Sequence, residues 1–168
     1  MTRTDFSTVG YGDVGVTQSL ALMSSLVDRA LDSPVVVYAA RQLAVRAGVR
    51  RQYAQAVAIR NFLSMAWRFV DDPTDRDLFV DPAESLKQYQ AIGYMAGDCD
   101  EAATLGAALG RAVGMHAQFT VYWFENSTPP GQHVFAVLLT DDGRAVNLDV
   151  TRPRGPVPAP TRTLTVDV

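Results

Sequence analysis

The chain has 168 residues, of which 48% are hydrophobic and 20% charged, a size and composition that suit one globular domain with a substantial core. Its 15 basic and 18 acidic side chains give a formal net charge of -3, which provides no broad basic field for nucleic acid. No stretch resembles a membrane span or a secretion signal, and one cysteine excludes an intramolecular disulfide. We therefore expect a cytoplasmic protein with no nucleic-acid or membrane partner.

The N-terminal part of the chain is predicted to be mainly helical. A glycine-rich segment over residues 1–16 indicates a flexible start. Apolar residues at helical spacing then predict helices over Thr17–Leu31, Pro34–Gly48 and Arg50–Val70. The region that follows has a weaker pattern, with turns and one short helix over Pro82–Tyr89.

The best-marked helix begins beside the single cysteine. Asp98 and Glu101 stand three residues apart, as in a capping box, and an Ala/Leu-rich run continues to a helix stop at Gly114. Cys99 is thereby placed in the first helical turn. Unpaired backbone N–H groups and the positive end of the helix dipole favour a thiolate there.

After this helix the hydrophobic period changes from 3.6 to 2. Three strands are predicted, over Gln118–Phe124, His133–Thr140 and Ala145–Val150, and the turn Asp141-Asp142-Gly143 favours an antiparallel hairpin. We therefore predict an α+β fold in which a helical N-terminal half precedes a central helix packed on an antiparallel sheet.

A proline-rich segment over residues 152–168 is predicted to form an extended C-terminal tail. Within it, Thr161–Val168 alternates like a strand but has no obvious partner.

Three residues far apart in the chain suggest chemistry. Cys99, His133 and Asp149 form a candidate nucleophile, base and orienting carboxylate. In such a triad the cysteine attacks an amide or ester carbonyl, the histidine moves the protons, and the carboxylate fixes the imidazole tautomer. The same residue types also bind zinc, but the sequence contains no CxxC or HExxH signature. We expect no metal and no cofactor.

Three short blocks of sequence support a family resemblance. Gly97-Asp98-Cys99-Asp100, His133-Val134-Phe135 and Leu148-Asp149-Val150-Thr151 resemble the signature blocks of the transglutaminase-like superfamily. The resemblance covers roughly residues 30–151 and implies a papain-like core over residues 17–151. It also implies that Cys99 is the nucleophile, His133 the general base and Asp149 the residue that orients the imidazole. Phe135 departs from the usual tryptophan, and Val150 from the usual proline.

Backbone N–H groups beside the cysteine are candidates for an oxyanion hole. The sequence suggests those of Cys99 and Asp100 and, for a second donor, the side chains of Gln90 and Tyr94. The acidic neighbours of Cys99 oppose formation of a thiolate, whereas the helix dipole and a protonated histidine favour it. The sequence leaves that competition open.

The predicted function is thiol-dependent acyl transfer or amide hydrolysis on a peptide or protein amide, as in a cysteine protease or a transglutaminase. The alternative is a non-enzymatic phage or prophage assembly protein that retains the fold, because the resemblance extends to short members often encoded by phages. Under that alternative, the protein is virion-associated and binds other virion proteins by adding its C-terminal strand to a partner sheet.

Overall fold

The fold is α+β, as predicted. The computed structural model describes residues 4–7, 12–48, 51–73, 77–126, 131–151 and 158–168. Within these ranges the helices are Gly12–Leu31 (α1), Pro34–Ala47 (α2), Gln52–Ala66 (α3), Pro82–Ile92 (α4) and Cys99–Arg111 (α5). The strands are Thr4–Ser7 (β1), Trp67–Phe69 (β2), Asp77–Val80 (β3), Met95–Gly97 (β4), His116–Phe124 (β5), Gly131–Leu139 (β6), Ala145–Asn147 (β7) and Arg162–Asp167 (β8). Among the described helices, none has the length and apolar character needed to cross a bilayer.

The main sheet is antiparallel and has the strand order β7-β6-β5-β8. Strands β5 and β6 pair along their whole length, from His116 opposite Leu139 to Phe124 opposite Gly131. The predicted hairpin between β6 and β7 is confirmed, and Gly143 provides the positive φ of 78° in its turn. The described residues also form two smaller sheets beside the main one, the antiparallel pair β1-β3 and the parallel pair β2-β4.

Helix α5 lies in the centre of the core, and every residue from 101 to 110 is buried. Its small residues allow the sheet to come very close. A Cβ added at Gly110 would lie 2.8 Å from Leu138 Cδ1 and 3.0 Å from its Cγ, and one added at Gly106 would lie 2.9 Å from Leu148 Cδ1. Glycine at these two positions therefore sets how near the helix stands to the sheet.

Two predicted boundaries in the N-terminal half are wrong. Within the segment predicted to be flexible, β1 pairs with β3, and α1 begins at Gly12 rather than Thr17. The third helix ends at Ala66 rather than Val70, because the next residues form the short parallel strand β2. This strand is held by Gly97, whose carbonyl accepts from the Trp67 indole N–H at 3.1 Å and from the Val70 backbone N–H at 3.0 Å.

The C-terminal strand has a partner that the sequence did not indicate. Strand β8 pairs antiparallel with β5, from Gln118 opposite Asp167 to Trp123 opposite Arg162. Strand β5 begins at His116, two residues before the predicted start at Gln118. Residues 152–157 of the predicted extended tail lie outside the described residues.

We predict that Gly110→Ala lowers the free energy of unfolding by about 1 to 3 kcal/mol, because overpacking against Leu138 outweighs the helix preference of alanine, about 1 kcal/mol. Urea unfolding followed by circular dichroism measures this change. Gly131→Ala is the matched control, since an added Cβ there has no atom within 4 Å. An unchanged or raised midpoint for Gly110→Ala would show that Leu138 moves aside and that the close approach is not required.

Candidate active site

The N-terminus of α5 is closed by the capping box that the sequence predicts. The Asp98 carboxylate accepts a hydrogen bond from the Asp100 backbone N–H at 2.8 Å, and Glu101 Oε2 accepts one from the Asp98 N–H at 2.8 Å. Both acidic side chains are therefore held against the first turn. Cys99 is the first residue of the helix and is half-buried.

His133 and Asp149 meet at the edge of the main sheet. Nε2 of His133 lies 3.0 Å from Oδ1 of Asp149, and their side chains are only 15% and 8% exposed. The strand before Asp149 ends early because the Asn147 side chain accepts a hydrogen bond from the Asp149 N–H at 2.6 Å, which turns the chain. In the described part of the chain Nε2 has no well-directed hydrogen bond, so the contact with Asp149 is a close approach, which becomes an ion pair when the imidazole is protonated.

The Cys99 sulfur lies against the strand that carries the histidine. The backbone N–H of Val134, the residue after His133, faces this sulfur and lowers the pKa of the thiol. That N–H is accessible because β7 pairs with β6 only from Val137 onward and leaves this part of the edge open. The thiol itself lies 3.5 Å from Asp100 Oδ1. The nucleophile predicted from sequence is thus brought to the residue next to the predicted base.

Aromatic rings pack around the imidazole. Tyr122 stands opposite His133 in the sheet register, and its ring centre lies 5.0 Å from that of Phe135 in an edge-to-face arrangement. The Phe135 ring centre is 6.0 Å from the imidazole centre, and Phe135 itself is 4% exposed. At the position where tryptophan is usual, Phe135 therefore provides a buried ring beside the imidazole.

Acidic side chains dominate the charge around the cysteine. Burial raises the pKa of Asp100 to about 8 and that of Glu101 to about 9, and the charge of Asp98 adds to both shifts. Burial likewise raises the pKa of Asp98, and it raises that of Asp72 to about 6. These carboxyl groups hold protons that exposed ones would release.

The same surroundings keep Cys99 in its thiol form. Burial raises the pKa of this thiol well above its ordinary value, and the charges of Asp100 and Asp98 raise it further, whereas the Val134 N–H lowers it. The sequence left open whether the surroundings of Cys99 favour the thiol or the thiolate, and the structure favours the thiol. A thiol in this form becomes a strong nucleophile only when a base removes its proton.

The structure places the predicted oxyanion donors in different surroundings. The Asp100 N–H is already bonded to the Asp98 carboxylate. Gln90 is exposed near the end of α4, and Tyr94 is 39% exposed with the Arg68 guanidinium 5.9 Å from its ring centre. Among the described hydrogen bonds and ring contacts, neither side chain touches Cys99.

Two groups near the site were missed by sequence reasoning. One is the Val134 N–H, a backbone donor that no sequence signal indicates. The other is Gln88, rather than Gln90, which bonds the segment leading to the cysteine: its Oε1 accepts from the Ala96 N–H at 3.2 Å. The position of Gln88 follows from where α4 packs, which the sequence does not state.

Comparison with known proteins agrees with this architecture. Residues 40–150 match the family model described as the transglutaminase-like superfamily, so the chain belongs to that superfamily. The chemistry associated with the superfamily is cysteine-dependent acyl transfer or hydrolysis. A search of curated proteins found no match, and nothing in the family match indicates a phage origin.

We predict that Glu101→Gln raises the free energy of unfolding at pH 9 by more than about 1.4 kcal/mol, the equivalent of one pKa unit. Glu101 has a pKa raised from 4.5 to about 9 in the folded state. The folded state binds this proton more tightly than the unfolded state does. The protonated Glu101 side chain therefore stabilises the fold fully below pH 4.5, and this stabilisation is lost as the pH rises toward 9. Glutamine keeps the capping acceptor but carries no charge.

The measurement is urea unfolding at pH 4 and pH 9 in a chelator. Glu84→Gln is the matched control, because Glu84 is the third residue of α4 after its N-cap Asp81, as Glu101 is in α5. An equal effect of the two substitutions at pH 9, or no gain from Glu101→Gln, would contradict a protonated Glu101.

Proposed function

We propose that this protein is a thiol-dependent acyltransferase or amide hydrolase that works through Cys99, His133 and Asp149. The acyl donor is a peptide or protein amide. The observation that carries the proposal is the convergence of three chain segments: His133 Nε2 lies 3.0 Å from Asp149 Oδ1, and the Cys99 sulfur is near enough to the Val134 N–H, beside that histidine, for the pKa of the thiol to be lowered.

Each residue has a role set by its chemistry. Cys99 attacks the carbonyl carbon of the donor while His133 removes the thiol proton, and a carbon–sulfur bond forms. His133 then protonates the leaving amine as the tetrahedral intermediate collapses to a thioester. Water or a second amine attacks the thioester and releases the thiol. Asp149 orients the imidazole and stabilises its charged form.

Because the pKa of Cys99 is raised, the proposed reaction depends on removal of the thiol proton by His133. Because the resting thiol is protonated, the sulfur becomes nucleophilic only as its proton leaves. General-base assistance of this kind contributes about 10² to 10⁴ in rate. For the developing oxyanion we propose the backbone N–H groups of Cys99 and Val134 as donors, because they belong to the two elements that meet at the sulfur.

One argument for the structural-component alternative was a C-terminal strand without an obvious partner. Since β8 pairs with β5 of the same chain, that argument is removed, although β8 remains the edge of the sheet. The proposal of an enzyme is therefore preferred. A search for acyl transfer at Cys99 decides between the two.

We predict that p-nitrophenyl acetate acetylates the protein on Cys99, with a burst of p-nitrophenol equal to the protein concentration. Intact-mass spectrometry locates one added acetyl group, and Cys99→Ala abolishes both signals. His133→Ala slows the burst by about 10² or more, because the general base is lost. Asp149→Asn slows it less, since the base remains but is poorly oriented.

His116→Ala is the matched control, since the chain has two histidines and His116 pairs with Asp167 on the surface at 2.9 Å. Its burst should equal that of the unmodified protein. Acetylation that proceeds equally in His133→Ala and His116→Ala, or that occurs elsewhere than at Cys99, would refute the proposed mechanism.

A further inference from the structure

Exposed apolar side chains gather where α3 and α4 end and the paired strands β2 and β4 begin. The two stretches of chain are neighbours, because β2 and β4 pair from Trp67 opposite Met95 to Phe69 opposite Gly97. Single exposed apolar residues are ordinary, whereas a group of them side by side marks an interaction surface. The members of this apolar patch, each at least 39% exposed, are Met65, Phe69, Val70, Ile92 and Tyr94.

Phe69 lies at the end of the apolar patch that adjoins the segment before Cys99. It stands opposite Gly97, which precedes the cysteine by two residues, a span of at most about 7 Å. Residues directly opposite each other project from the same face of a sheet. At Gly97 this face is turned toward α5, because an added Cβ would lie 3.1 Å from Glu101 Cβ. The Phe69 side chain therefore projects on the side of the first turn of α5, where Cys99 lies.

The backbone of Phe69 is suited to an extended peptide. In the parallel pair the Val70 N–H donates to the Gly97 carbonyl at 3.0 Å, and successive residues direct their backbone groups to opposite sides of a strand. The Phe69 N–H and carbonyl therefore point away from β4, and the described residues place no other strand beside β2. Backbone groups at an open strand edge, with an apolar side chain beside them, are the features by which such edges bind peptides.

We propose that Phe69 forms an apolar subsite for the acyl donor, so that the preferred substrate is a peptide with a large apolar side chain beside the reactive carbonyl. The inference rests on the proposed acyl transfer and names its substrate class. A peptide is favoured over a second copy of the chain because the patch adjoins the nucleophile. A stable dimer buries about 800 Å² on each partner, which is more than five partly exposed side chains offer.

The test compares two donors that differ at one side chain. The p-nitrophenyl esters of N-acetyl-L-phenylalanine and N-acetylglycine acylate the full chain, and each burst rate constant is divided by that ester's rate with free N-acetylcysteine, which corrects for intrinsic reactivity. We expect the phenylalanine ester to react about tenfold faster after this correction. Phe69→Ala should remove most of that preference, whereas Phe69→Leu, which remains apolar, should retain most of it.

Tyr38→Ala is the matched control, because Tyr38 exposes an aromatic ring on a different helix, α2, and it should leave the preference unchanged. Equal corrected rates for the two esters, or an equal loss of preference in Tyr38→Ala and Phe69→Ala, would overturn the subsite. A dimer that is seen by sedimentation and is dissociated by Phe69→Ala would assign the patch to a second copy and would also overturn it.

Binding without reaction separates this inference from the proposed function. In isotope-labelled Cys99→Ala, N-acetyl-L-phenylalanine amide should shift the backbone amide resonances of Phe69 and Gly97 in NMR spectra, whereas N-acetylglycine amide should not. These shifts together with a failure of Cys99 to be acylated in the unmodified chain would refute the proposed function and support the subsite. Absence of the shifts overturns the subsite, whether or not Cys99 is acylated.

Discussion

The architecture depends on the close approach of α5 to the main sheet. Glycine at positions 106 and 110 lets the helix backbone stand against Leu148 and Leu138, where a methyl group would clash. This packing directs the N-terminal end of α5 toward the open edge of β6. Cys99 reaches the Val134 N–H as a result, and the site is built from a helix end and a strand edge.

Burial of that helix end has an electrostatic consequence. The two carboxylates of the capping box satisfy backbone N–H groups that would otherwise be unpaired. Asp98, together with its neighbour Asp100, also places negative charge beside a half-buried thiol and raises the pKa of that thiol. Stability of the helix start and ionisation of Cys99 are therefore opposed, which explains why a cysteine at a helix N-terminus is a thiol here.

The sequence predicted those elements whose conformation is determined by residues close together in the chain. The capping box at Asp98 and Glu101 and the turn at Gly143 were predicted because each is decided within a few residues. Pairings between distant segments were not predicted. Strand β2 continues the apolar pattern of α3, so only its partner β4 ends the helix, and β8 carries no sign that β5 lies beside it.

The groups of the candidate site likewise include some that the sequence identified and some that it did not. Cys99, His133 and Asp149 were predicted because their residue types and order are distinctive. The Val134 N–H was not, since every residue except proline has one and only the fold aims it. Asp72 was missed for a related reason: it reaches Asp98 and Glu101 across the fold, with no spacing that marks it.

The thiol and the carboxylate cluster formed by Asp72, Asp98, Asp100 and Glu101 are linked through one electrostatic environment. Asp98 belongs to both, because it caps α5, raises the pKa of Cys99 and offers an oxygen to the cluster. Proton binding by these carboxyl groups removes negative charge beside the sulfur, and at this short range the effect is weakly screened by salt. The protons that their raised pKa values retain therefore reduce the charge that opposes the thiolate.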